Sequence, residues 1–209
     1  MELLLNNYVI NLESRPDRLE HVKAEFSKLG IEPVIVEAIP FNPGNIGCTL
    51  SHIKCLEMAI EKDYDHIFIC EDDITFKDIN IFKDSLEKFH ENIENWDVLI
   101  IGGNVGHPYE HIGDYCLRTY NCQTTIGYVV QKHYYSALLE NFKQGVELLQ
   151  KTKKKKEYSL DMYWKILQKN DKWFMIYPLT ITQYPNFSNI EKRRVNFERH
   201  HLSLDFGCC

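Results

Sequence analysis

Short apolar runs alternate along the chain with longer stretches in which apolar residues recur every three or four positions. That is the signature of strands interleaved with amphipathic helices. Residues 8–12 read as a first strand. Ser14-Arg15-Pro16-Asp17 then carries helix-start chemistry, Leu19, Val22, Phe26 and Leu29 mark one helical face, and Gly30 is the stop. Residues 34–39 predict a second strand, followed by a loop with Pro40, Pro43, Gly44 and Gly47. A helix is expected from about Cys48 to Glu61, with Leu56 and Ile60 on its buried side. Residues 67–70 form an apolar run short enough for a buried strand, and Phe82, Leu86, Phe89 and Ile93 mark the helix after it. Residues 97–101 and 124–131 predict two more strands, the second leading into a helix with Tyr135, Leu138, Phe142 and Leu149 on one face. A helix from Ser159 to about Gln168 and a strand over 173–177 follow, and no clean period continues from Ile181 onward. Strands alternating with helices imply a layered α/β sheet. No linker or repeat divides residues 1–209, so one domain is expected, with a disordered polar tail from about residue 198.

The apolar run at 67–70 stops in three consecutive carboxylates, Glu71-Asp72-Asp73. Open α/β sheets place ligand chemistry at the carboxyl ends of their strands. Three acids there repel one another, and an oxygen-preferring divalent cation is the natural compensation. An acidic turn with Asp72 or Asp73 capping the next element is the plainer account. Side chains alternate along an extended strand, so all three acids cannot ligate one ion if that conformation continues.

Composition narrows the class. With 44% hydrophobic and 12% aromatic residues the chain is a folded globular protein. Its net charge of −6 argues against nucleic acid as a partner. The seven cysteines show no CxxC pair and no disulfide-framework spacing, so they read as small core residues in a reducing compartment. The N-terminal residues lack the basic region and cleavage site of a signal peptide, and no stretch is long enough to span a bilayer, which points to a cytoplasmic protein. The run Lys153 to Lys156 is most simply a solvated loop, with peripheral contact to an anionic membrane as the other reading. The terminal pair Cys208-Cys209 does not fit a CaaX box.

Six segments, in order, resemble one family. Residues 8–12 with Arg15 and Asp17-Arg18 are similar to the "INLxxRxDR" opening of glycosyltransferase family 25. That family includes bacterial lipooligosaccharide galactosyltransferases and animal collagen hydroxylysine galactosyltransferases. Residues 47–52 resemble its "GCxLSH" block, Glu71-Asp72-Asp73 its "EDD", and residues 125–130 its "T-x-[GA]-Y-x-[VI]" strand. Asp161 followed by aromatics is similar to its "D-x-x-[LFW]" block. Gln183 with Ser188-Asn189-Ile190-Glu191 resembles its "Q…S-D-I-E" ending, with Asn189 replacing the aspartate.

The resemblance implies a GT-A type nucleotide-diphospho-sugar transferase fold, a mixed, mostly parallel sheet with helices on both faces. It implies metal-dependent, inverting transfer of a hexose, galactose from UDP-galactose in the specific case, to a glycan or hydroxylysine-type hydroxyl. Mn²⁺ or Mg²⁺ bridging the diphosphate stabilises the charge gained as the glycosidic bond breaks. Asp73 is the expected metal ligand, then Asp72, with Glu71 on sugar hydroxyls or behind the ligands. Arg15 and Arg18 are expected on the diphosphate or uracil, although a solvated Arg15 and an Arg18 paired within its own helix remain open. Asn11 is expected near the base, or as a turn former. Ser51 and His52 open a helix whose N–H groups suit a phosphate or sugar, or serve as an ordinary cap and a packing histidine; no partner acid at a telling spacing marks His52. Thr125, Gly127 and Gln183 join the expected donor site through their motif positions. Asp161 is the expected base on the acceptor hydroxyl, or a helix-start acid. His200 and His201 compete as a further metal ligand. Rival readings are a nucleotide-sugar binding protein without turnover and a metal-dependent nucleotidyltransferase, which here lacks a glycine-rich phosphate loop. Acceptor, linkage and oligomeric state stay open.

Overall fold

The computed structural model describes every residue except 189, 191 and 205–209. In chain order the elements are β1 (Asn7–Asn11), α1 (Pro16–Leu29), β2 (Ile35–Glu37), α2 (Gly44–Glu61), β3 (His66–Glu71), β4 (Ile74–Phe76), α3 (Ile79–Asn92) and β5 (Val98–Val105). There follow β6 (Tyr109–Ile112), β7 (Cys116–Thr119), β8 (Cys122–Gln131), α4 (Tyr135–Thr152), α5 (Lys155–Tyr158), α6 (Leu160–Tyr163) and α7 (Lys165–Gln168). The chain ends in β9 (Trp173–Ile176), β10 (Ile181–Gln183), β11 (Asn186–Ser188), β12 (Arg193–Val195) and α8 (Glu198–His201).

Local chemistry explains the boundaries. Pro16 starts α1, where its missing N–H costs nothing, and Gly30 ends it at φ 73°, a left-handed cap that a side chain would resist. Asp78 caps α3 by accepting hydrogen bonds from the N–H groups of Asn80 and Ile81.

Eight strands form one sheet in the order β2-β1-β3-β8-β5-β9-β7-β6, and all but β8 and β7 run the same way. β3 is central and buried on both sides, which is why its sequence is a continuous apolar run instead of an alternating one. On one face Leu56 of α2, Phe142 of α4 and the perpendicular pair Trp164–Trp173 build a core. On the other, Val22 and Phe26 of α1 pack with Phe82, Leu86 and Phe89 of α3. The expected α/β architecture, helices on both faces, is what forms.

Several local expectations are corrected. α2 begins at Gly44, four residues early, because Pro43 stands extended at its cap. Its buried stripe runs through Ile46, His52, Cys55, Leu56 and Ala59 and leaves Ile60 43% exposed. The hairpin β6–β7 extends the sheet edge without an apolar pattern strong enough to announce it. Of the tail expected to be disordered from about 198, Glu198–His201 form α8, because His201 buries against β10 and accepts from the Thr182 hydroxyl and the Gln183 N–H; residues 205–209 lie outside the described residues. No helix among the described residues is long and apolar enough to cross a membrane. Lys153 and Lys154 lie exposed between α4 and α5, and Lys155 and Lys156, expected in a loop, are exposed in the first turn of α5.

Gly127 sits in β8 inside the sheet. A Cβ there would meet Phe68 at 3.0 Å, Cys70 at 3.2 Å and Ile74 at 3.3 Å. Gly127→Ala is therefore expected to cost about 1–3 kcal/mol through overpacking. Chemical denaturation of the two proteins measures it, and a variant as stable as the parent would show that this layer yields.

Candidate functional site

A cleft of about 540 Å³ opens at the carboxyl ends of β1 and β3, bordered by the start of the antiparallel β8, the first half of α2 and by α6. Glu71 is the last residue of β3, and the chain turns immediately after it. The turn divides the acidic triplet between two environments.

Glu71 faces α2 and β8. Its Oε1 accepts from the Thr125 hydroxyl at 2.5 Å and from the Cys48 thiol at 3.9 Å, and His52 Nε2 stands 3.8 Å away. Asp72 and Asp73 face α1. Arg18 Nη1 lies 2.8 Å from Asp72 Oδ1 and 3.0 Å from Asp73 Oδ2. The Asn11 amide donates to Asp72 Oδ2 at 2.7 Å, and the Gln183 amide approaches Asp73 at 3.4 Å. Both aspartates are 5% exposed. Compensation of the acids, expected from a metal ion, is supplied in part by Arg18, whose carboxylate partners lie on the turn after β3 and not on its own helix.

One guanidinium does not balance three acids. Burial pushes the Asp73 carboxyl up to about 7, Glu71 adds repulsion, and Arg18 opposes it. Burial also raises Asp72 against the pull of Arg18 and Asn11. Burial alone would raise Glu71 too, yet His52 and Thr125 outweigh it and hold that carboxyl below its ordinary value.

Asp161 lies in the first turn of α6 and lines the same cleft. Its Oδ2 accepts from the Thr124 N–H at 3.1 Å. Thr124 adopts φ 74°, a costly conformation for a β-branched residue, and this turn aims its N–H at the carboxylate. Burial raises Asp161, Thr124 opposes, and the charge of Glu71 adds to the rise.

The other expected residues divide. Arg15, Ser51, His52, Thr125 and Gln183 line the cleft with the acids and Arg18. Arg15 is bound to Asp17 at 2.8 Å and to the Phe187 carbonyl at 3.0 Å, a carbonyl that Arg18 also reaches at 3.3 Å. Ser51 serves the backbone, donating to Gly47 O and accepting from Ile39 N. Asn11 and Gly127 are not among the lining residues: Asn11 holds Asp72 from behind, and Gly127 packs in the sheet. His201 is buried with Nδ1 already engaged. Asn189 and Glu191 of the expected ending lie outside the described residues, as do Cys208 and Cys209.

Two features escaped the sequence reading. His52 has a nearby acid after all, Glu71, nineteen residues on in sequence and brought back by the rest of α2, a loop and β3. Cys48 joins it; four-residue spacing on α2 was the available signal, since it stacks the two side chains. Gly47 makes room for this arrangement, because a Cβ there would meet Ile39 O at 2.5 Å.

Residues 40–118 match glycosyltransferase family 25, described as an LPS biosynthesis protein. The matched stretch contains α2, the acidic end of β3 and Arg18's two partners. Over that stretch the chain is similar to glycosyltransferase family 25. It is 27% identical over 127 residues to procollagen galactosyltransferase 2 of Homo sapiens, covering 46% of this chain and 20% of that protein. It is 25% identical over 133 residues to "Inactive glycosyltransferase 25 family member 3" of Homo sapiens, covering 48% of this chain and 22% of that protein. The family 25 match thus spans about a fifth of the length of these curated relatives. In fold, the chain is similar to the crystal structure of A197 from STIV, with a TM-score of 0.51 at 16% identity over 90% of this chain and 91% of that one. The architecture is the expected GT-A type, an α/β sheet with antiparallel β8 set among strands of the opposite direction.

The raised Asp73 sets a pH dependence. Between the ordinary value of 3.8 and about 7, the folded chain holds a proton that the unfolded chain has lost. Stability from this group is therefore greatest at low pH and falls as pH rises through that window. In chelator-treated buffer, the melting temperature of Asp73→Asn is expected to gain on the parent steadily from about pH 4 to about pH 7. Parallel curves would mean that Asp73 is not strained by its charge.

Proposed function

We propose that this chain transfers a hexose, galactose from UDP-galactose in the specific reading, with inversion to a hydroxyl of a glycan or of hydroxylysine. The observation that carries the reading is the convergence of Asp72, Asp73, Arg18 and Asp161 on one cleft at the carboxyl edge of the sheet. The family 25 match and the relative named a galactosyltransferase support the reaction class and the sugar.

The aspartates fit an oxygen-preferring Mn²⁺ or Mg²⁺: both offer carboxylate oxygens, and the rise of Asp73 to about 7 marks negative charge that Arg18 leaves unbalanced. Such an ion, when bound, supplies Lewis-acid stabilisation to the departing diphosphate. Asn11 and Gln183 orient the two aspartates. Arg18, already poised at their oxygens, offers the diphosphate a planar set of donors. Asp161 accepts the acceptor's hydroxyl proton as the new glycosidic bond forms, and its raised affinity for protons suits a base working near neutral pH. Inversion needs only this one carboxylate on the acceptor side, unlike the pair of a glycosidase.

A donor-binding protein without turnover is the second reading, favoured by the relative whose name calls it inactive. Two variants and the parent separate the readings, with UDP-galactose affinity measured by calorimetry and UDP release followed against glycan and hydroxylysine-peptide acceptors. Asp73→Ala is expected to abolish Mn²⁺-dependent donor binding and transfer while leaving the fold intact. Asp161→Asn should keep donor affinity and slow UDP release by about 10²–10⁴-fold. Donor binding without UDP release in the parent would establish the binding protein instead.

A further inference from the structure

Cys48, His52 and Glu71 form a cluster to which the proposed transfer assigns no step. Their ligand atoms all lie within 4.8 Å of one another, and among the described residues no other three His, Cys, Asp or Glu side chains do this. The two residues of α2 are one helical turn apart and face the end of β3 together. Three structural facts bear on what the cluster holds.

First, His52 is fully buried, and its Nε2 has no hydrogen-bond partner. Glu71 Oε1, at 3.8 Å, is beyond hydrogen-bond reach. A buried nitrogen left without a partner is a rarity that asks for a missing ligand. Second, His52 Nδ1 lies 3.0 Å from the Tyr128 hydroxyl. In the tautomer whose Nδ1–H donates to that hydroxyl, the lone pair falls on Nε2, toward Glu71 and Cys48; with a proton on Nε2 instead, the same nitrogen faces Glu71 as the charge contact that lowers that carboxyl. Metal-bound histidines are oriented by just such a partner on the other nitrogen. Third, the spacing is close to that of a bound ion. Zinc bonds of about 2.3 Å to sulfur and about 2.1 Å to nitrogen or oxygen place tetrahedral S and O about 3.6 Å apart, and N and O about 3.4 Å apart. The observed separations are 3.9 Å for Cys48 to Glu71 and 3.8 Å for His52 to Glu71, each within a few tenths of an ångström of the bound spacing. All three atoms lie within 4.8 Å, so Cys48 and His52 draw together by no more than about 1.2 Å to reach the roughly 3.6 Å of a bound pair.

We infer that Cys48 Sγ, His52 Nε2 and Glu71 Oε1 form a Zn²⁺ site at the floor of the cleft, with the fourth position open to the cleft. Thiolate and imidazole select zinc over Mn²⁺ or Mg²⁺, whereas the oxygens of Asp72 and Asp73 do the reverse. The acidic triplet thereby serves two kinds of cation from its two sides. On binding, the Cys48 thiol gives its proton to solvent, and thiolate and carboxylate together neutralise the ion's two charges. Cys48 and Glu71 line the cleft, so the ion has a path of entry. The site takes nothing from Asp72, Asp73 or Asp161 and stands whether or not the chain transfers sugar.

Co²⁺ reports on the site because a thiolate ligand gives it a strong near-ultraviolet charge-transfer band. The probe is Co²⁺ titrated into the metal-free full chain with Cys208→Ser and Cys209→Ser, which removes the two terminal thiols. One equivalent is expected to produce the band, and Zn²⁺ should displace it. Cys48→Ser should lose the band with its circular dichroism unchanged. Tyr128→Phe keeps all three ligands and should weaken Co²⁺ by about tenfold or more through loss of the orienting bond. Asp73→Ala should leave the band unaltered, which separates this site from the donor ion. A Co²⁺ complex without the charge-transfer band, or a band that survives Cys48→Ser, would overturn the assignment.

Discussion

Arg18 between Asp72 and Asp73 is the interaction on which the cleft depends. The pair is nearly dry, with Arg18's side chain 12% exposed and both aspartates' side chains 7% exposed. It fastens α1 to the turn after β3, two elements that share no backbone hydrogen bonds. A buried cluster of this kind adds little net stability over an apolar replacement. Losing one aspartate leaves Arg18 paired with the other, whereas removing Arg18 strands both acids at a cost of about 3–5 kcal/mol. Its value is positional: it holds two like-charged acids side by side where water alone would not.

The same guanidinium reaches the Phe187 carbonyl, as does Arg15, while the Asn186 amide donates to Asp17. The hairpin β11–β12 is thus tied to the first turn of α1 by groups beside Asp72 and Asp73. His201, fixed against β10, anchors the following segment. Burial keeps His201 neutral, pushing it down to about 4, with His200 adding to the effect. Between that value and the ordinary 6.5 the unfolded chain binds the extra proton, so this anchor is complete above about pH 6.5 and weakens as pH falls towards 4.

Strand geometry divides the chemistry of the triplet. Glu71 still belongs to β3, whereas Asp72 and Asp73 follow the turn, so consecutive residues meet partners on opposite sides. One side offers sulfur, imidazole and carboxylate; the other offers carboxylates around a guanidinium. A run of three acids in sequence therefore meets two sets of partners in space; burial raises both Asp73 and Asp161, and the charge of Glu71 adds to each rise.

Much of the fold was legible in the chain because period and burial coincide. The helix at Phe82, Leu86 and Phe89, the strands ending in Asn11 and Glu71, and the left-handed stop at Gly30 all follow from local rules that the tertiary structure did not override. That the acids and Asp161 share one cleft was legible because their motif order survives without coordinates. What the sequence could not carry was partnership across distance. Whether Ile60 or Cys55 faces the core depends on where α2 meets the sheet, and that angle is set by packing. Arg18's choice of Asp72 over an acid of its own helix, His52's meeting with Glu71, and the docking of His201 each join residues brought together only by sheet order. Local propensity determined which elements exist; burial of one face of each against the sheet decided which side chains share a cleft.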